Sequence, residues 1–187
     1  MTDTRIFEPD GRAIPYAVEG EGPVALVLIP EGGLDGDALG VVAHYLVEEA
    51  GFHVVRIGSR AESGDSDEAV DAIAAVLDHV GLGHTWIGGH GTGGTVARAF
   101  AARHVDRVNG LLLLGVEAER IPLAPVIPVL IIQGTDDDVT PSANGERLQA
   151  TAPERASIKT VAGAGHLFPL THPIETAVII EEYLDWD

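Results

Sequence analysis

The segment with the clearest chemical potential is a run of glycines interrupted by a histidine and a threonine, Gly88-Gly89-His90-Gly91-Thr92-Gly93-Gly94. Three readings fit it. Gly89-x-Gly91-x-x-Gly94 satisfies the G-x-G-x-x-G pattern, in which backbone N–H groups at a helix N-terminus cradle a pyrophosphate, and Glu117 stands about where that pattern needs its ribose-binding acid. Gly89-His90-Gly91-Thr92-Gly93 also fits the frame G-x-S-x-G, the sharp strand-to-helix turn that presents a nucleophile. In that frame glycine, Gly91, occupies the nucleophile position. The third reading is a tight turn that lets a helix pack closely on a strand. No other G-x-S-x-G occurs and there is no cysteine, so neither an elbow serine nor a thiolate is available to attack a substrate. Ser59, Ser63 and Ser66 follow the strand before this turn, but nothing in their spacing marks them for chemistry.

The elements that must position this turn alternate almost without interruption. Residues 5–7 and 13–18 flank Asp10-Gly11, a hairpin signal. Residues 24–29 (VALVLI) form a buried-strand run closed by Pro30. A helix over 37–50 follows, with Leu39, Val42, Tyr45 and Leu46 as its apolar stripe and Gly51 at its end. The spacing then predicts a strand at 53–57, a helix at 67–80, a strand at 85–88, the glycine turn at 89–94 and a helix at 95–104. Strands at 108–115 and 129–133 are separated by a Pro-rich loop over 116–128. Thr140-Pro141 reads as an N-cap and first helical residue for a helix to about 152, followed by a strand at 157–161 and a helix at 173–184. Continuous apolar strands between amphipathic helices predict a parallel sheet covered on both faces, an α/β/α sandwich with an antiparallel N-terminal hairpin. Ligands of such sheets bind outside the carboxyl ends of the strands.

Composition narrows the partners. The chain has 187 residues, 45% apolar and 21% charged, which predicts one globular domain over 1–187. Eleven Lys and Arg against 29 Asp and Glu give a formal charge of −18, and Lys159 is the only lysine. Such a surface repels nucleic-acid phosphates and anionic membranes, so neither is expected as a partner. No apolar run approaches the roughly 20 residues of a membrane helix. The segment Met1-Thr2-Asp3-Thr4-Arg5 has no basic region followed by an apolar stretch, so a cytoplasmic location is expected. Oligomeric state is not legible.

Context discriminates among the readings of the glycine turn. A dinucleotide fingerprint normally opens its fold, whereas several strands precede this turn, and few cations are present to meet a pyrophosphate. The tail weighs further. Pro128-Val129-Leu130-Ile131-Ile132-Gln133-Gly134-Thr135-Asp136-Asp137-Asp138-Val139-Thr140-Pro141 resembles the strand and acid loop of the α/β-hydrolase family. Val161-Ala162-Gly163-Ala164-Gly165-His166-Leu167-Phe168-Pro169 resembles its histidine loop. Elbow, acid and histidine occur in the family's chain order, and the resemblance extends over most of the chain.

The resemblance implies that Asp137 is the acid that holds and stabilises an imidazole and that His166 is the general base. Asp136 or Asp138 could be the inward residue of that loop instead. The other histidines (His44, His53, His79, His84, His90, His104 and His172) lack metal-ligand spacing and no H-E-x-x-H occurs, so they read as structural or exposed and no metal is expected. The backbone N–H of Thr92 is implied as an oxyanion donor. The family commonly has His-Gly after the strand equivalent to 24–29, whereas this chain has Pro30-Glu31-Gly32-Gly33. Gly32 or Gly33 could still supply a donor, while Glu31 would bring a carboxylate that opposes oxyanion stabilisation unless turned out or protonated. Glu117 and Glu119 could add to an acidic pocket. Only the 116–128 loop stands where many relatives insert a cap, so a shallow, open pocket without a cap is expected.

Four functions remain compatible with these residues. The first is cofactor-free, hydrolase-like chemistry on a small molecule, with His166 and Asp137 acting on a water in the space left by Gly91 or on a substrate proton. The second is a non-catalytic protein that binds a small ligand or a partner through the same pocket. The third is an esterase-type serine hydrolase whose nucleophile has been replaced. The fourth is nucleotide binding through the glycine turn.

Overall fold

Strands that are apolar at every position need cover on both faces, and the helices provide it. The computed structural model describes residues 4–9, 13–58, 66–118 and 121–184; the Asp10-Gly11 turn, Ser59, Ser63 and Glu119 lie outside the described residues. The chain runs β1 (Arg5–Phe7), β2 (Ile14–Glu19), β3 (Ala25–Ile29), α1 (Gly40–Glu48), β4 (His53–Ile57), α2 (Ser66–Val80) and β5 (Thr85–His90). It continues through α3 (Thr92–Arg103), β6 (Val108–Leu114), β7 (Val129–Gly134), α4 (Ser142–Ala150), β8 (Ala156–Val161), α5 (Phe168–Thr171) and α6 (Pro173–Leu184). The strands form one sheet in the order β1-β2-β4-β3-β5-β6-β7-β8. β1 and β2 pair antiparallel, β2 pairs antiparallel with β4, and every other neighbour is parallel.

The two-residue period of a strand divides the apolar side chains between two cores. Leu26, Leu28, Val54, Leu112, Leu114, Leu130 and Ile132 face α1 and α6, meeting Val42, Leu46, Ala177 and Ile180. Val27, Ile29, Val55, Leu111, Leu113, Val129 and Ile131 face the other way, meeting Val70, Ile73 and Leu77 of α2, Ala97 and Phe100 of α3 and Leu148 of α4. This is the predicted α/β/α sandwich. Among the described residues, no helix is long and apolar enough to cross a membrane.

β3 lies between β4 and β5, so the connections leave it in opposite directions and open a crevice beyond the carboxyl ends of β3 and β5. The loop after β3 begins at Pro30-Glu31, and the turn after β5 is Gly91. The glycines of this turn serve close packing. A Cβ on Gly89 would collide with the backbone of Gly93 and Gly94, and one on Gly93 would collide with the carbonyls of Ile29 and Pro30. Helix α3 therefore lies directly against strand backbone, with no side chain between.

Several elements differ from their sequence-predicted bounds for identifiable reasons. The predicted 37–50 helix begins as a 3-10 turn over Gly36–Leu39, where the Asp35 carboxylate accepts from the N–H of Asp37 at 3.0 Å, and α1 starts only at Gly40. β5 extends through His90 and α3 starts at Thr92, because Gly91 alone makes the turn with φ 56° and ψ −115°. Pro141 is the cap of α4 rather than its first residue, and Thr140 is drawn away to Asp137. The short α5 carried no sequence signal of its own.

Replacing Gly89 with alanine should destabilise the fold by about 3 kcal/mol, the upper range for overpacking, because backbone on both sides leaves nothing to yield. A fall in Tm of roughly 6–12 °C is expected for a domain of this size, measured by circular dichroism. An unchanged Tm would contradict the direct strand–helix contact.

Candidate active site

The carboxyl ends of β3, β5, β7 and β8 deliver four segments to one place, and the side chain at its centre is His166. Its imidazole sits between two carboxylates. Nδ1 lies 3.0 Å from Asp137 Oδ2, and Nε2 lies 2.6 Å from Glu31 Oε2. The side chains are 9% exposed for His166, 0% for Asp137 and 18% for Glu31, so water screens these contacts little. Both ion pairs of these carboxylates run to the same imidazole.

Asp137 is the inward residue of its loop, whereas Asp136 and Asp138 are exposed. Its Oδ1 accepts from the N–H groups of Val139 at 2.9 Å and Thr140 at 2.8 Å, and its Oδ2 accepts from the Thr140 hydroxyl at 2.7 Å. Burial pushes the carboxyl up, but the donors from Thr140, His166 and Val139 outweigh it and hold the group below its ordinary value. Burial likewise opposes a charged His166, yet the bond to Asp137 and the charges of Glu31 and Asp137 prevail and raise it above its ordinary value. Two carboxylates thus flank the imidazole and favour its charged form.

Beneath His166 lies His90, which is 0% exposed. The rings stack with centroids 4.7 Å apart and planes at 29°, and the Nε2–H of His90 donates to the carbonyl of His166 at 2.7 Å. That bond assigns the His90 tautomer and leaves Nδ1 as a bare acceptor, which is buried and has no hydrogen-bond partner. Burial, opposed by the bond to the His166 carbonyl, lowers the pKa of His90, so this ring is held neutral. Glu31, His90 and His166 each bring a donor atom within 4.8 Å of the others, the one group of its kind among the described residues that could hold a metal ion.

Gly91 faces this cluster. A Cβ built there would stand 2.5 Å from Glu31 Oε1 and 3.3 Å from His166 Nε2. The sequence predicts an empty space at Gly91 that a water could fill; instead the Glu31 carboxylate occupies it, because the absent side chain leaves the imidazole open to the neighbouring loop. The loop after β3 is tied down by the N–H of Gly32, which donates to the Thr92 hydroxyl at 2.6 Å. That donor is therefore engaged rather than free for an oxyanion. Thr92 opens α3, so its own N–H has no partner within the helix.

Sequence reasoning brought Asp137, His166, Gly91, Thr92, Gly32 and Glu31 to this region, and all six lie within it. It missed three others. Thr140 reads in the sequence as a helix cap, but its hydroxyl bridges Asp137 and, at 3.0 Å, His166 Nδ1. His90 reads in the sequence as a structural or exposed histidine, although its place directly before the turn is a usable signal. Gly115, at φ 70°, gives the acid and histidine room: a Cβ there would meet Thr140 Oγ1 at 2.7 Å and Asp137 Oδ2 at 3.5 Å. Glu117 does not join the Glu31 group. Its carboxylate accepts from the Thr95 hydroxyl at 2.5 Å and lines a separate cleft of about 410 Å³ with Arg98, Asn144 and Arg147.

With this geometry established, the chain can be set beside known proteins. No curated protein sequence matches it. Among solved structures it superposes on a predicted CIB-like hydrolase from Thermoplasma acidophilum with a TM-score of 0.83 at 16% identity, covering 98% of each chain. A thermophilic esterase from Thermogutta terrifontis gives 0.83 at 19% identity, again over 98% of each chain. An enol-lactonase from Burkholderia xenovorans gives 0.84 at 16% identity, over 97% of this chain and 100% of the other. Identities this low establish the shared fold. The model of the alpha/beta hydrolase family matches residues 27–168, from β3 through the histidine loop, and the chain belongs to that family.

Proposed function

We propose that this protein hydrolyses a small carbonyl-bearing molecule without forming a serine acyl-enzyme, and that His166, held by Asp137, carries the proton transfer. The observation that carries this reading is the Asp137–His166 contact of 3.0 Å placed across from an elbow that bears only Gly91. The partners of a nucleophile are assembled, and the nucleophile itself is missing. That an esterase and an enol-lactonase share the fold supports a small ester or lactone as the substrate class.

Glu31 completes the chemistry. Its carboxylate accepts a proton from the attacking water as the hydroxyl oxygen adds to the carbonyl carbon. The imidazolium of His166 gives its Nε2 proton to the departing alkoxide. The proton on Glu31 then crosses the 2.6 Å contact to His166, and the net change is ester plus water to acid plus alcohol. The N–H of Thr92, at the positive end of α3, faces the developing oxyanion. Glu31 limits how much negative charge that oxyanion can hold nearby, which suits substrates with good leaving groups.

Wild-type protein should hydrolyse p-nitrophenyl acetate with no burst of p-nitrophenol, and His166→Ala should lower the rate by about 10²–10⁴-fold. Equal rates in both proteins would leave only background reaction and favour a binding protein instead.

The position of Glu31 also sets what an added serine can do. Gly91→Ser alone places its Cβ against the Glu31 carboxylate, so it should gain little esterase activity. Gly91→Ser combined with Glu31→Ala frees His166 to activate the new hydroxyl, and a burst equal to the enzyme concentration is the expected signature. A burst of the same size in the single variant would show that Glu31 does not obstruct the elbow.

A further inference from the structure

We infer that Glu31, His90 and His166 form a binding site for a divalent transition-metal ion of the zinc class. Their donor atoms lie within 4.8 Å of one another and come from the ends of β3, β5 and β8, three segments too distant in the chain to show ligand spacing. Two nitrogens and one carboxylate oxygen, with one position left open, are a donor set that suits such an ion.

The second observation is the state of each ligand's far side. A histidine ligand usually donates its other ring N–H to a carboxylate or a backbone carbonyl, which fixes the tautomer and aims the lone pair. Both imidazoles here are built that way. His166 Nδ1–H is held by Asp137 Oδ2 at 3.0 Å, leaving Nε2 for an ion. His90 Nε2–H is held by the His166 carbonyl at 2.7 Å, leaving Nδ1. That Nδ1 is fully buried with no protein partner, in a ring that is 0% exposed. Unmatched buried acceptors are costly, and an ion would satisfy this one.

Charge and room agree. With both imidazoles neutral, Glu31 and Asp137 place two negative charges around the site, and among the described residues their ion pairs run only to His166. A divalent cation neutralises them. Four-coordinate zinc with bonds of about 2.1 Å keeps its donors roughly 3.3 Å apart. Glu31 and His166, now 2.6 Å apart, need to separate by less than about 1 Å, and the two rings, stacked with planes at 29°, need to tilt so that both lone pairs converge on the ion. The ion takes the place of the proton that otherwise bridges them. On its remaining side stands Gly91, where Glu31 rather than a side chain of residue 91 fills the space, so Glu31 reaches the ion from that side. The inference rests on reading this crevice as the reacting site, and it changes one role: with the ion bound, His166 Nε2 is a ligand instead of a proton carrier.

The test uses tag-free full-length protein, stripped with EDTA and titrated with Zn²⁺ by calorimetry and with Co²⁺ by visible absorption. One equivalent should bind, with the intense bands of low-coordinate Co²⁺. Glu31→Ala and His90→Asn should each weaken binding about 100-fold or more while leaving the far-ultraviolet spectrum intact, and Asp137→Asn should weaken it about 10–100-fold. Should the His90 variant fail to fold, long-range ¹H–¹⁵N spectra of the wild type decide. Shifts of His90 Nδ1 and His166 Nε2 on Zn²⁺ saturation support the site. Absence of one-equivalent binding, binding unaltered in folded variants, or unshifted His90 and His166 nitrogens would overturn it. Ester turnover by the stripped protein is read separately. Binding without turnover keeps the ion site and removes the hydrolase reading; turnover without binding does the reverse.

Discussion

Everything at the site depends on one steric constraint, the approach of helix α3 to strand backbone with no side chain between them. Gly89 against Gly93 and Gly94, and Gly93 against the carbonyls of Ile29 and Pro30, bring β3, β5 and α3 together at backbone distance. From that contact follows the abrupt turn at Gly91, whose φ of 56° and ψ of −115° reverse the chain in one residue. The turn in turn sets the mouth of the crevice, the N-terminus of α3 and the distance to the histidine loop. A larger residue at Gly89 or Gly93 would push the helix outward and dissolve the arrangement.

Within that frame the electrostatics are unusual for a proton-transfer site. An imidazole is commonly held by one carboxylate so that its other nitrogen stays free to accept a proton. Here the second nitrogen also meets a carboxylate, at 2.6 Å, so the charged ring is favoured from both sides. In the proposed reaction this divides the labour, with the acid function assigned to His166 and the basic one to Glu31. A side chain at Gly91 and the Glu31 carboxylate compete for the same space, so the glycine and the inward glutamate go together sterically. Of the formal charge of −18, Glu31 and Asp137 are the members in contact with His166 among the described residues, whereas Glu117 faces a different cleft.

Legibility in the chain varied with how local the cause was. β6 was readable almost to the residue, because Leu111, Leu112, Leu113 and Leu114 are buried on alternate faces and no polar position interrupts the run. The last helix, Pro173–Leu184, was predicted with its observed bounds, since a proline at the start and an apolar stripe are local signals. The start of α3 was predicted three residues late, because glycines read as loop when their reason for being there is a neighbouring strand. Thr140 reads as a cap for the same kind of reason. Its hydroxyl serves either role, and the choice went to Asp137, whose burial makes a donor worth more there than at an exposed helix end.

The sequence by itself determined the layered architecture, through the two-residue period of its strands, and it determined which nucleophiles are absent, because side-chain type is a covalent fact independent of folding. Only the tertiary structure decided that Asp137 turns inward while Asp136 and Asp138 remain in solvent, that Glu31 fills the space at Gly91, and that His90 lies beneath His166 with a bare nitrogen. Glu31 and His166 are 135 positions apart, and no spacing rule links them. They meet because β3 and β5 are sheet neighbours while β7 and β8 follow β6 toward one edge, so that their carboxyl ends open onto the same crevice. Strand order is a product of packing, and packing is where distance along the chain stops predicting distance in space.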